Sequence, residues 1–282
     1  MIYISTGGFT KKSVVEVIKL LSKNNINAFE LSGGIYTDNL ESKLKILSSQ
    51  FEFTVHNYFP PPQKPFVLNL ASLNENIYQE SLNHIKKSIK LASFINSPFY
   101  SFHAGFLIDP KVKELGKTIK SNNLYDRDKC LERFIYSIKL LSKYASKYQI
   151  KLLVENNVIT KSNLTKFESN PLLMTDIKST REIIKNFDDN LFFLVDVAHL
   201  KVSANTLNFD ACEYLEVFKD KIGGYHLSDN NGLVDSNKEI SNSSWFWPYL
   251  RNDLNYYTLE VYDHNPHVLL SQLELAQNKI YR

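Results

Sequence analysis

Four apolar runs in the second half of the chain each lead directly into a residue with ligand or acid–base chemistry. Glu155 ends Leu152-Leu153-Val154, and Asp196 ends Leu191-Phe192-Phe193-Leu194-Val195. His226 follows Ile222-Gly223-Gly224-Tyr225, and Glu260 follows Tyr256-Tyr257-Thr258-Leu259. The runs have the length and composition of buried strands. The four residues lie 41, 30 and 34 positions apart, room each time for a strand, a helix and two loops. Alternating βα units imply a parallel sheet. If that sheet closes into a barrel, residues at successive strand ends converge at its C-terminal mouth.

Eight strand candidates fit this pattern, over residues 2–5, 26–31, 52–56, 98–103, 150–155, 191–196, 222–227 and 256–261. Helical periodicity runs between them. Tyr78, Leu82, Ile85, Ile89 and Ala92 form one apolar stripe, and Leu131, Phe134, Ile135, Ile138, Leu141 and Ala145 another. Asp126 and Asp176 are placed to cap helix N-termini. A chain of 282 residues suits one (β/α)8 TIM barrel, expected as a single domain over 1–282. An open doubly wound sheet is the alternative, but Gly7-Gly8 after the first strand falls short of a phosphate-binding glycine loop.

The loops are unequal. Helix-to-strand links are short, as at Asn24-Asn25, Asn96-Ser97 and Asp188-Asp189-Asn190. Strand-to-helix links are long, over residues 57–74, 104–126, 157–175 and 229–250. In a barrel these long loops surround the same mouth as the polar strand ends.

Three carboxylates at one mouth repel one another, each pair by about 3 kcal/mol at roughly 5 Å and an effective dielectric near 20. A divalent cation removes that cost, and one imidazole with three carboxylates suits Mn, Co, Mg or Zn. Glu155, Asp196, His226 and Glu260 are therefore the expected metal ligands. His56 and His103 end the third and fourth strand candidates and should face the same opening. With Glu155 they are suited either to a second ion, such as Zn, or to substrate hydroxyls. His199, three residues beyond Asp196, adds another imidazole.

The loops offer further candidates. Tyr58 and Phe59 precede Pro60-Pro61-Pro62, a stiff segment suited to a substrate wall. Trp245 and Trp247 could stack on a sugar or pack over the rim. Asn157 is a candidate substrate contact, and Asp229 could orient the His226 ring. His84, beside Ser81 and Ser88, is expected on a polar helix surface, and His264 and His267 in a loop or helix start.

The balance of 33 basic and 30 acidic residues gives a net charge of +3, which demands neither a nucleic acid nor a membrane partner. Lysines 86, 87 and 90, and 111, 113, 117 and 120, read as solvated faces. Cys130 and Cys212, the only cysteines, are expected as buried thiols in a reducing compartment. No apolar run approaches a membrane span. No leader-like segment precedes Ile2-Tyr3-Ile4, so a cytoplasmic protein, monomeric or homodimeric, is expected.

The motifs Val154-Glu155-Asn156, Asp196-x-x-His199 and His226-Leu227-Ser228-Asp229, with Glu260, resemble the metal site of the xylose-isomerase-like TIM barrels. That group includes sugar isomerases, ketose 3-epimerases, inosose dehydratases and endonuclease IV. The epimerase resemblance implies Glu155 and Glu260 as metal-bound paired bases and His199 as a catalytic substrate contact. The arginine that usually follows the strand-seven histidine is absent from Asp229-Asn230-Asn231-Gly232. The endonuclease resemblance implies three zinc ions. His56, His103, Glu155, Asp196, His199, His226 and Glu260 match seven of the nine ligands, but Asp235-Ser236-Asn237 lacks the histidine of the remaining Asp-x-His pair. The leading expectation is a divalent-metal-dependent isomerase or epimerase of a small sugar or sugar derivative, acting through an enediolate. The alternatives are an endonuclease IV-like zinc phosphodiesterase and a catalytically degenerate sugar-binding barrel.

Overall fold

A computed structural model describes residues 1–120 and 123–281; two residues of the expected 104–126 loop lie outside the described residues. Eight parallel strands close into a barrel in sequence order: β1 (Ile2–Ser5), β2 (Ala28–Leu31), β3 (Glu52–His56), β4 (Phe99–His103), β5 (Lys151–Glu155), β6 (Leu191–Asp196), β7 (Ile222–Leu227) and β8 (Tyr257–Leu259). Pairing of Ile2, Tyr3 and Ile4 with Tyr257, Thr258 and Leu259 closes the ring. All eight expected strands form, and Glu260 sits just past the end of the short β8.

Period-two alternation decides what each strand buries. Outward-pointing Ile4, Phe29, Val55, Tyr100, Phe102, Leu152, Val154, Phe193, Val195, Tyr225, Tyr257 and Leu259 join the large core between sheet and helices. Inward-pointing Tyr3, Phe99, Leu153, Leu194 and Tyr256 form a small separate cluster that plugs the barrel. Above that plug the interior turns polar. Glu30, Thr54, Ser101 and Thr258 are all fully buried, and each sits between two apolar neighbours in its strand.

The helices are α1 (Val14–Ser22), α2 (Leu40–Leu47), α3 (Glu75–Phe94), α4 (Arg127–Ser146), α5 (Lys161–Phe167), α6 (Ile177–Ile184), α7 (Val197–Leu207), α8 (Ala211–Phe218) and α9 (Pro266–Ile280). Asp126 caps α4 by accepting the Lys129 N–H, and Asp176 caps α6 by accepting the Ser179 N–H, as expected. The one-helix-per-interval expectation fails in two ways. Two helices lie between β5 and β6 and two between β6 and β7, whereas among the described residues only a single turn, Trp247–Tyr249, crosses from β7 to β8. Residues 229–250 hold together by other means. Asp229 and Lys238 pair as an antiparallel bridge, and Ile240 and Phe246 insert into the core.

A bulge in β7 aims the strand at the mouth. Phe193 pairs with Ile222 but Leu194 pairs with Gly224, leaving Gly223 as the extra residue. Any Cβ at Gly223 would lie 2.6 Å from the Phe192 Cβ, so the bulge requires glycine. Beyond it the register sets Asp196 beside His226, just as His103 is set beside Glu155.

His84 is not a surface residue. The 57–74 loop folds over that side of α3, burying Ser81 and Ser88 and leaving His84 8% exposed, with Tyr58 stacked on its ring at 5.4 Å. Burial pushes the His84 ring down to about 4. Cys130 is buried, as expected, but Cys212 is only half-buried on α8. No described helix is long and apolar enough to cross a membrane.

Candidate metal centre at the barrel mouth

The four strand-end residues do meet. One ligand atom each from Glu155, Asp196, His226 and Glu260 lies within 4.8 Å of every other, and all four residues are buried. His56, His103 and Glu155 form a second such group beside the first. Glu155 joins the two. Its Oε1 lies 3.5 Å from His226 Nδ1 and 3.4 Å from His199 Nδ1, while its Oε2 lies 3.5 Å from both His56 Nε2 and His103 Nδ1.

The surrounding strands and helix set these positions. Asp196 ends β6 and also caps α7, its Oδ1 accepting the N–H groups of Ala198 and His199 at 2.7 and 2.8 Å. That leaves Oδ2 aimed inward. Asn156 fixes the neighbouring backbone: its Oδ1 accepts from Asp196 N–H and its Nδ2 donates to Asp196 O. His199 Nδ1 lies 3.0 Å from the Asn156 carbonyl, and His199 Nε2 lies 3.2 Å from Asp235 Oδ2. Tyr262 donates to Glu260 Oε1 at 2.8 Å, its ring lying over Gly7 and Gly8.

Burial opposes ionisation of Glu155, but the charges of His103, His226 and His56 overcome it and hold that carboxyl well below its usual range. Glu260 is likewise brought down to about 2, burial being outweighed chiefly by the His226 ring. Asp196 behaves in the opposite way. Burial pushes it up to about 8, against the pull of His199. Burial also takes His103 down to about 4, against the pull of Glu155.

The donor set fits a divalent cation. Both oxygens of Glu155, Oδ2 of Asp196, Nδ1 of His226 and Nδ1 of His103 are buried without a hydrogen-bond partner. Buried polar atoms in folded proteins are almost always satisfied, and several unsatisfied ones aimed at one another mark the place of an ion. The imidazole–carboxylate gaps of 3.4–3.5 Å around Glu155 are too long for charge-assisted hydrogen bonds. Mixed carboxylate and imidazole donors suit Mn, Co, Mg or Zn.

Several loop expectations are corrected. Phe59 is fully buried and offers no face to the mouth. The Asn157 amide is spent on the carbonyls of Ala104, Gly105 and Leu173, so it fastens loops together rather than reaching a substrate. Asp229 does not touch His226. It accepts from Lys201 Nζ at 2.6 Å and Ser244 Oγ at 2.9 Å, closing its own loop. Tyr58 accepts the Phe66 N–H at 2.6 Å, and Trp247 Nε1 donates to Ser241 O at 2.7 Å. Trp245 is half-buried against Phe246.

One central residue escapes the strand-end pattern. Glu30, midway along β2, is fully buried and lies 2.9 Å from His226 Nε2. Its signal was present in Phe29-Glu30-Leu31, a charged residue inside an otherwise apolar strand run. Asp235, lacking a downstream histidine, nonetheless reaches His199.

Comparison with known proteins places the fold in a family. The chain is 25% identical over 187 residues to an uncharacterised protein of Methanocaldococcus jannaschii, covering 66% of this chain and 62% of that one. It is 25% identical over 177 residues to a probable endonuclease 4 of Thermoplasma volcanium, covering 61% and 52%. The chain thus spans between about half and six tenths of these curated relatives. Among solved structures, a D-tagatose 3-epimerase-like protein superposes with a TM-score of 0.74 at 18% identity, over 99% of this chain and 97% of the other. D-psicose 3-epimerase with D-tagatose from Clostridium cellulolyticum H10 gives 0.67 at 12% identity, over 99% of both. At these identities the superpositions establish the fold. The model of the xylose isomerase-like TIM barrel family matches residues 18–265, and the chain belongs to that family.

Proposed function

We propose that this chain, acting as one barrel domain, is a divalent-metal-dependent isomerase or epimerase of a small sugar or sugar derivative. The observation that carries this reading is the approach of two buried carboxylates to one imidazole nitrogen. Glu155 Oε1 lies 3.5 Å and Glu260 Oε2 2.9 Å from His226 Nδ1. The relatives' names support the substrate class, since superposing structures include ketose 3-epimerases.

A divalent ion held by Glu155, Asp196, His226 and Glu260 would supply Lewis-acid polarisation of a substrate carbonyl and its adjacent hydroxyl. The chain's own residues perform the proton transfer. One glutamate takes the proton from the carbon bearing that hydroxyl, and the other returns it to the opposite face of the enediolate. His103, which borders the cluster, would bind a substrate hydroxyl, whereas both nitrogens of His199 face protein partners, the Asn156 carbonyl and Asp235 Oδ2. Two of the strand-to-helix loops are locked together. Asp109 accepts from Asn69, Ser72 and Tyr125 at 2.8, 2.8 and 2.6 Å, joining the segments after β3 and β4.

The test is uptake of solvent deuterium at the carbon next to the carbonyl across a panel of ketoses. Wild type should exchange one position of its substrate, and Glu260→Gln should slow exchange by roughly 10²–10⁴-fold. Exchange that survives Glu260→Gln unchanged contradicts the role given to that residue. Metal content of a His56→Ala, His103→Ala double variant settles what those rings do. Loss of one metal equivalent assigns them a second ion bridged by Glu155; an unchanged count with a raised KM assigns them substrate hydroxyls. An abasic DNA duplex should stay intact at low salt, because the Asp-x-His pair is incomplete at Asn237.

Gly7→Ala is a milder probe of the same site. The added methyl would lie 2.9 Å from the Tyr262 hydroxyl and push it off Glu260 Oε1. Metal affinity measured by chelator competition should fall about tenfold, as when a ligand loses its supporting hydrogen bond. The melting temperature should barely move, because the displaced atom is the tip of a side chain.

A further inference from the structure

Beneath the metal centre an unbroken line of hydrogen bonds crosses the barrel interior. His56 Nδ1 lies 2.9 Å from Ser101 Oγ, which lies 2.8 Å from the Tyr256 hydroxyl. Tyr256 donates to Glu30 Oε2 at 2.5 Å, and the same oxygen receives Thr258 Oγ1 and His226 Nε2, each at 2.9 Å. Glu30, Ser101, Tyr256, Thr258 and His226 are all fully buried, and His56 is 3% exposed. The line therefore runs through the buried interior, where an unsatisfied polar group is costly.

The polarity of that line is determined from one end. Three donors converge on Glu30 Oε2, which therefore accepts from each, and Tyr256 spends its single hydrogen there. Ser101 then has no hydrogen to receive from Tyr256 and must donate its own to the phenol oxygen. Two lone pairs would otherwise face each other at 2.8 Å. With its hydrogen spent, Ser101 can only accept from His56, which fixes a proton on His56 Nδ1. At the other end His226 must donate to Glu30 from Nε2. The two rings thus hold these protons on opposite nitrogens. His56 turns Nε2 toward Glu155 Oε2 at 3.5 Å. His226 turns Nδ1 toward Glu155 Oε1 at 3.5 Å and Glu260 Oε2 at 2.9 Å, where it carries a second proton until a cation takes that place.

We infer that Glu30 is a positioning residue that sets the proton placement of both His56 and His226, acting on His56 through Tyr256 and Ser101. Its consequence for function rests on the reading of the mouth as a metal centre. His56 is pre-set to offer an unprotonated Nε2 to an ion or a substrate hydroxyl, and His226, held at Nε2 by Glu30, is pre-set to give up only its Nδ1 proton to a cation. A scaffold role alone would hold the rings in place but would not couple them through one carboxylate.

The experiment uses full-length protein with 15N-labelled histidine, loaded with zinc alone at mildly alkaline pH. Long-range proton–nitrogen correlation spectra report which ring nitrogen carries hydrogen. Wild type should show His56 protonated on Nδ1 and His226 on Nε2. Tyr256→Phe keeps the ring in the core and breaks the line at one point. It should release His56 into a mixture of forms and leave His226 unchanged. Ser101→Ala should do the same, and Thr258→Val, which removes a donor outside the line, should change neither ring. Glu30→Gln should disturb both and weaken zinc binding about 10–100-fold, the usual penalty for losing a partner behind a ligand. A His56 proton on Nε2 in wild type overturns the inference, as does a Tyr256→Phe variant that leaves His56 unaltered or shifts both rings alike. If wild type takes up no zinc, the metal reading fails by itself, and the His56 spectrum of the metal-free protein still decides the proton placement.

Discussion

Glu155→Gln should remove turnover and metal binding together while leaving the barrel folded. Both Glu155 oxygens are buried without a hydrogen-bond partner, and imidazole nitrogens of four histidines stand 3.4–3.5 Å from them. Gln keeps the shape of the side chain but surrenders the charge that faces both halves of the cluster. The backbone pairing of residue 155 with His103 and Leu194 does not depend on that charge. Loss of a positioned acid–base group removes about 10²–10⁴ in rate, and loss of a ligand adds to it. Turnover, metal content and a melting curve on the same sample check the expectation. Activity within about tenfold of wild type would show that the reaction lies elsewhere.

Asp196 should separate metal binding from folding. Its two oxygens have different duties: Oδ1 caps α7 through Ala198 and His199, whereas Oδ2 is unpartnered among the ligands. Asn caps a helix about as well as Asp, but it carries no charge for a cation. Asp196→Asn should therefore lose the metal and keep the wild-type metal-free stability. A slight gain is expected, since burial penalises the ionised carboxyl it replaces. Asp196→Ala should lose the metal and also about 0.5–2 kcal/mol of stability through the missing cap. Metal analysis and denaturant unfolding of the chelator-treated variants measure both. Equal stability losses in the two variants would mean that the cap is unimportant, and full metal occupancy in Asp196→Asn would remove this residue from the ligand set.

What the sequence reveals and what it hides divides along physical lines. Glu155, Asp196, His226 and Glu260 were readable because each follows an apolar run, and parallel strands of equal polarity bring such ends together. Asp126 and Asp176 were readable as caps because capping is local. Glu30 was not found. Its partners His226, Tyr256 and Thr258 stand 196 to 228 positions away, and only barrel closure brings β2 toward β7 and β8. Mid-strand Glu30, Thr54, Ser101 and Thr258 together mark a polar interior, a pattern visible once all eight strands are aligned by depth. The loop residues are hidden for a different reason. Asn157 and Asp229 look free in a linear sequence, but long loops must satisfy their own backbone and side-chain groups, and these two are consumed in doing so. His84 departs from its expected surface position because the apolar stripe of α3 shows one buried face, while the loop carrying Tyr58 and Phe66 covers a second.

The central claim is that the barrel mouth is a metal centre built from strand ends, and anomalous diffraction from crystals of the protein loaded with zinc tests it most directly. The strongest anomalous peak is expected at about 2.0–2.2 Å from an oxygen of Glu155, Asp196 and Glu260 and from Nδ1 of His226. Zinc found only on surface groups such as His264 or His267, with none among the four buried residues, would contradict the account.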